Sequence, residues 1–222
     1  SIERFLSSAN IEKWKYLPSE NKEGWPIGFV KDSVEEGQWA GDWIGLNCSA
    51  CHTGEIEYAG KTLRIDGGQS LGDLLGFINE LDASLEATYD DGVKGGAKFD
   101  RLAKNFPELD RQTLLAQLHA VVEDRRGWHA RNDYKPGGQV ATHGYGRLDA
   151  FGLIFNEIHH SPLHLPKNIH EPNAPVNYPF LWDTHQHNFV QWNGVAPAIP
   201  MARNVGQVLG AFGKLQRDPH ES

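Results

Sequence analysis

The sequence predicts a mainly α fold with long irregular loops and at most one small β-hairpin. Three observations carry that expectation. Apolar residues recur at helical spacing over several long segments, only one short stretch alternates polar and apolar residues about a turn, and the segment from His159 to Pro179 is punctuated by Pro162, Pro166, Pro172, Pro175 and Pro179. The 222 residues suffice for one substantial core, with 39% hydrophobic and 23% charged residues and a mean hydropathy of -0.51. No apolar run approaches the roughly 18 residues that span a bilayer, so the chain is not expected to be membrane-spanning. Lys and Arg number 21 against 29 Asp and Glu, a formal net charge of -8, opposite in sign to the footprint of a nucleic-acid binder.

In chain order, Ile2 to Tyr16 reads as a short amphipathic helix. It lies in a first segment, residues 1–47, that places Trp14, Trp25, Trp39 and Trp43 among Gly and Pro without sustained period, as an irregular aromatic wrap would. Glu55–Tyr58 and Thr62–Ile65 alternate about Ala59-Gly60-Lys61, the one hairpin. Ser70 offers an N-cap for a helix with Leu71, Leu74, Leu75, Ile78, Leu81 and Leu85 on one face, running to about Tyr89. A glycine-rich loop at Gly92–Gly96 separates it from Phe99–Phe106, which Pro107 ends. Asp110 caps the next helix, where Leu114, Leu115, Leu118, Val121 and Val122 form the buried stripe up to about Asn132 and His119 falls on the apolar side. Leu148 to Ile158 reads as a further helix, and Pro200, well placed in a first turn, starts the last one, to Phe212.

The chemistry concentrates at Cys48-Ser49-Ala50-Cys51-His52. In a C-x-x-C-H motif two thiols three positions apart add to the two vinyl groups of a haem, and the following histidine ligates the iron. These are the only two cysteines in the chain. A thiol–disulfide redox pair competes, but lacks its βαβ context. A zinc site would need two further ligands at ordinary spacing, and a structural disulfide would close a tight, strained loop. The motif therefore predicts one covalent haem c, with Cys48 and Cys51 as thioether anchors and His52 as the proximal iron ligand. Attachment needs reduced thiols outside the cytoplasm, so a periplasmic or secreted protein is expected. Arg64, Arg147 and Arg203 sit among Gly and aromatic residues, where a guanidinium pairs with a haem propionate or forms an ordinary surface ion pair. Met201, the single methionine, is the one thioether available as a sixth ligand, and is expected not to serve as one. His185 and His187 would share one face of an extended segment as a metal pair.

Beyond the motif, Gly45 to Gly54, Ile65-Asp66-Gly67-Gly68, His143 to Phe151, Pro179 to Thr184, Gln191-Trp192-Asn193-Gly194 and Ala202 to Gly206 together resemble the N-terminal haem half of di-haem cytochromes similar to bacterial cytochrome c peroxidases and, more closely, to rubber oxygenases. The resemblance runs from Trp25 to Phe212. It implies a cytochrome c-like helical haem domain, in which Cys48, Cys51 and His52 hold the haem and the Phe180 to Asn204 stretch forms its distal wall. It implies chemistry with a small oxidant, peroxide or dioxygen, with Trp182 or Trp192 supporting electron or radical transfer. The family pattern has two C-x-x-C-H motifs and this sequence has one, so a redox partner protein or a second haem-bearing chain is expected. An electron-transfer cytochrome with a six-coordinate haem is the alternative. On this reading residues 1–222 form a single haem domain: the wrap 1–47, the attachment site and helical core 48–158, the Pro-rich loop 159–179, and the distal wall with the C-terminal helix 180–222.

Overall fold

The computed structural model describes residues 5–6, 8–21, 23–37, 40–190, 194 and 196–211. Among them the chain runs through α1 (Ser8–Lys13), β1 (Phe29–Val34), β2 (Gly41–Leu46), β3 (Thr53–Tyr58), β4 (Lys61–Asp66), α2 (Leu74–Val93), α3 (Ala97–Ala103) and α4 (Arg111–Asn132). It continues through β5 (Arg147–Leu148), α5 (Ala150–His160), β6 (Val176–Asn177), β7 (Phe189–Val190), β8 (Ala196–Pro197) and α6 (Pro200–Ala211).

The expectation of a mainly α, cytochrome c-like helical domain with at most one hairpin is overturned. Among the described residues eight strands pair into four two-stranded antiparallel sheets, β1–β2, β3–β4, β5–β6 and β7–β8, so the fold mixes α and β. Each missed sheet has a physical reason for its silence in the sequence. The β1–β2 ribbon lies inside the segment read as irregular and is exposed along most of both strands, so no buried face imposes a polar–apolar alternation. The β5–β6 and β7–β8 pairs are two residues long, too short to show any period, and β5 pairs with β6 across Arg147 and Asn177.

The helices start where local chemistry allows. The Asp110 carboxylate accepts from the N–H groups of Gln112 and Thr113 and opens α4 as its sequence predicts. α2 opens one turn later than expected: Asp73, not Ser70, accepts from Gly76 N–H, while the buried Ser70 hydroxyl accepts from Gly72 N–H and shapes the entry. α5 is capped by Asp149, whose two carboxylate oxygens accept from Gly152 and Ala174 N–H. Pro200 sits in the first turn of α6, which packs on α5. His119, expected in the core, is half exposed, stacked on Tyr89 at 4.8 Å and 3.7 Å from Glu123. No helix among the described residues is long and apolar enough to cross a membrane.

Two hydrophobic cores result. The larger joins the N-terminal aromatics Trp14, Tyr16, Trp25 and Phe29 to Ala50 of the C-x-x-C-H motif, to Leu74, Leu75, Phe77 and Ile78 at the start of α2, and to Trp128 and Leu153. Its rings meet edge to face, Trp14–Phe77 at 5.3 Å and 86° and Tyr16–Phe29 at 5.0 Å and 83°. The smaller core packs Phe99 against Leu114, Leu118 and Val122 of α4.

A buried polar tie closes the far side of the larger core. Asn156 of α5 is 2% exposed. Its amide donates to the carbonyls of Arg131 and His170 and to the Asn132 side chain, and its oxygen accepts from His170 N–H. One side chain thus joins α4, α5 and the Pro-rich loop. Replacing Asn156 with Ala leaves those partners unsatisfied in the interior and is expected to cost about 2–4 kcal/mol in chemical denaturation, whereas Asn168→Ala in the same loop is expected to change stability by less than about 0.5 kcal/mol.

Candidate functional site

The motif occupies a single 3-10 turn, Cys48–Ala50, between the end of β2 and the start of β3. Asn47 caps it, its side chain accepting from Ser49 N–H, and the Cys48 carbonyl accepts from the N–H groups of both Cys51 and His52. Backbone from distant segments then clamps the turn. Asn47 N–H donates to Gly28 O at 2.8 Å, Ser70 N–H to Cys51 O at 3.0 Å and Gly67 N–H to His52 O at 3.0 Å. Gly28, at φ +84°, lies so close that a Cβ built on it would fall 2.1 Å from Ala50 N. Ala50 itself is buried in the larger core.

His52 is oriented by a residue 127 positions away. Its Nδ1 is 2.6 Å from Pro179 O. A carbonyl only accepts, so Nδ1 carries the proton and Nε2 keeps its lone pair. Burial, partly offset by this bond, holds the imidazole pKa below its ordinary value, so the ring is neutral at pH 7. That is the state and tautomer in which histidine ligates a metal, with the second ring nitrogen tied to a backbone carbonyl.

Pro179 is itself held in place. The preceding residue, Tyr178, is buried; its hydroxyl donates to Gly72 O and its N–H to Gly146 O, and its ring lies 6.3 Å from that of His52. On the other side Leu181 N–H donates to Gly67 O and the Trp182 indole N–H to Asp66 O at 2.9 Å. Phe180 and Trp182 stack at 5.3 Å beside the motif and remain 56% and 50% exposed. The two stacked rings thus form an exposed apolar surface on the segment that also carries Pro179.

The thiols are free, Cys48 exposed and Cys51 partly buried. Burial pushes the Cys51 thiol up to about 11, so it is protonated at neutral pH, unlike the low-pKa thiolate of a redox C-x-x-C pair at a helix N-terminus. Burial first, with the Cys51 thiol and Asp73 adding to it, raises the pKa of the Tyr178 and Tyr16 phenols above the ordinary range, so both stay neutral. Among the described residues no group of three or more His, Cys, Asp and Glu side chains is arranged to hold a metal ion. His185 lies in a 3-10 turn, Thr184–Gln186, and His187 just after it, so the two do not alternate along one extended segment as the sequence suggests.

The other sequence candidates are dispersed. Arg64 on β4 contacts Pro18 O and Glu55 across the hairpin. Arg147 on β5 donates to Pro175 O. Arg203 on α6 forms no side-chain hydrogen bond or ion pair among the described residues, and Met201 beside it is 74% exposed. Trp182 is placed at the motif, whereas Trp192, like Trp39, lies outside the described residues. Sequence reasoning did not single out Gly28, Tyr178 or Pro179 as site residues. Pro179 marked the end of the Pro-rich loop and the start of one of the resembling segments, and no local pattern shows that its carbonyl meets a histidine so far away.

Set against known proteins, the chain matches no family and no solved structure. It is 32% identical over 223 residues to the uncharacterized protein y4iJ of Sinorhizobium fredii, an alignment covering 93% of this chain and 36% of that protein. The chain therefore spans little more than a third of the length of this relative.

The close approach of Gly28 to the turn gives a direct test of the clamp. Gly28→Ala forces a Cβ into the Ala50 backbone and a side chain onto a left-handed φ, and is expected to lower stability by about 3 kcal/mol, whereas Gly24→Ala, at a similar φ with open space around it, is expected to cost about 1 kcal/mol. Urea denaturation of the two variants separates the steric cost from the conformational one.

Proposed function

We propose that this chain binds one haem covalently, with Cys48 and Cys51 as the thioether anchors and His52 as the proximal ligand, in an exported protein that reacts with peroxide or dioxygen. The observation that carries this reading is the bond from His52 Nδ1–H to Pro179 O, which leaves a neutral Nε2 lone pair beside two free thiols. The residues present fit the group: free thiols at the attachment spacing, a metal-competent tautomer, and the stacked apolar rings Phe180 and Trp182 alongside.

When bound, haem supplies an iron centre for one-electron and oxygen chemistry. The chain's own residues supply the rest. Pro179 fixes the ring orientation of His52 and, its carbonyl accepting from Nδ1–H, makes the Nε2 lone pair a better electron-pair donor. Tyr178 holds Pro179 in register through Gly72 and Gly146. Trp182, anchored through Asp66, is the oxidisable side chain placed next to the motif. Met201 faces solvent on α6 and is left out of the ligand set. The resemblance to the haem half of di-haem peroxidases and rubber oxygenases supports the same reading, with a redox partner protein or a second haem-bearing chain completing electron transfer.

Expression in a periplasm equipped for haem attachment tests it. The purified chain is expected to keep its haem through acid–acetone extraction and to give the pyridine haemochrome spectrum of two thioether links, and Cys48→Ala with Cys51→Ala is expected to lose it. Haem that extracts from the wild-type chain, or a mass equal to the bare polypeptide, overturns the proposal. Met201→Leu is expected to leave the ferric spectrum unchanged while ferrous protein still shifts on adding CO; loss of a thioether-to-iron charge-transfer band in that variant moves the protein to the electron-transfer class.

A further inference from the structure

Away from the C-x-x-C-H turn, α2 and α4 border a cavity of about 360 Å³ whose polar wall includes Asn79, Asp82, Glu86, Arg125, His129 and Asp133. His129, on the last turns of α4, stands between two carboxylates. Its Nε2 is 3.0 Å from Asp82 Oδ2 on α2, and its Nδ1 is 2.6 Å from Asp133 Oδ1, just beyond the end of α4. Carboxylates accept, so both ring nitrogens can donate at once only in the imidazolium. The neutral ring has one N–H, and its lone pair would then face a carboxylate oxygen at contact distance.

We infer that His129 is a pH-sensitive latch between α2 and α4: the imidazolium ties Asp82 to Asp133, and loss of one ring proton releases one of the two ties. The surroundings allow a second arrangement without unfolding. Arg125 Nε holds the same Asp82 oxygen at 2.8 Å, and the guanidinium is stacked 4.6 Å from the Trp128 ring, so Asp82 stays paired when His129 lets go. Arg125 Nη2 is buried without a partner, a spare donor for the carboxylate once it moves, and the cavity gives room for the shift. The other charged groups facing the latch are committed: Glu86 of α2 to Arg126 of α4, Arg126 also to Glu123, and Asp133 to Lys135 at 3.4 Å.

The direction of the response follows from the partners. The two carboxylates, Asp82 first, raise the His129 pKa above its ordinary value despite burial. Stability from the latch is therefore fully present below the unfolded value near pH 6.5 and is lost as pH rises through the folded value. α2 is also the helix whose entry residue Gly72 accepts from Tyr178, so the latch acts on an element that supports the Tyr178–Pro179 segment facing His52.

Histidine ring NMR of the full chain tests the inference, with a pH series of thermal midpoints. The backbone-assigned His129 resonance is expected to titrate above about pH 6.5, and the midpoint to fall by about 3–5 °C per pH unit within the window between the two values. His129→Gln is expected to abolish that slope. A His129 resonance titrating at or below the ordinary value, or a His129→Gln protein with the wild-type slope, overturns it. The wild-type titration decides alone if the variant does not fold.

Discussion

The site depends on one hydrogen bond, from His52 Nδ1–H to Pro179 O. It joins the residue that follows the cysteine pair to a carbonyl at the end of the Pro-rich loop, and by its direction it chooses the tautomer. Reverse the protonation and Nδ1 would point a lone pair at a carbonyl oxygen 2.6 Å away, which no neutral arrangement tolerates. The bare Nε2 is a consequence of chain geometry, before any ligand is considered.

That bond is only as firm as its two ends, and both are held largely by backbone. On the His52 side, Gly28 and the connection carrying Gly67 and Ser70 bring two separate segments against a turn of a few residues, and the glycine at 28 is needed because no Cβ fits there. On the Pro179 side, Tyr178 and Leu181 pin the strap to Gly72, Gly146 and Gly67. Backbone bonds do not depend on side-chain rotamers, so the motif is positioned with little conformational freedom left to lose when a ligand arrives.

Rigidity and exposure are distributed unequally. Trp14, Tyr16, Trp25 and Phe29 are buried against Ala50 and the first turn of α2, and anchor the turn from within. Trp182, anchored to Asp66 O, and Phe180 stacked on it are left exposed. The charged cluster about His129 belongs to a different region, the α2–α4 seam, where titratable groups couple two helices.

Local sequence determined the elements whose signals are local. The Asp110 cap and the stripe Leu114, Leu118, Val122 specify α4, and Pro200 marks the start of α6, because capping and helical periodicity act within a few residues. The β3–β4 hairpin and the cysteine–histidine spacing are legible for the same reason. Tertiary structure decided the remainder. The β1–β2 ribbon is buried only at its Phe29 end, so burial wrote no alternation into it, and strands two residues long carry no period at all. Arg64 and Arg147 turned to nearby carbonyls, and His119 turned outward onto Tyr89, because a side chain's partner is set by what the fold brings within reach. The same holds for His52: the sequence names the imidazole, but only the closure of a 127-residue separation onto Pro179 determines which of its nitrogens is free to bind.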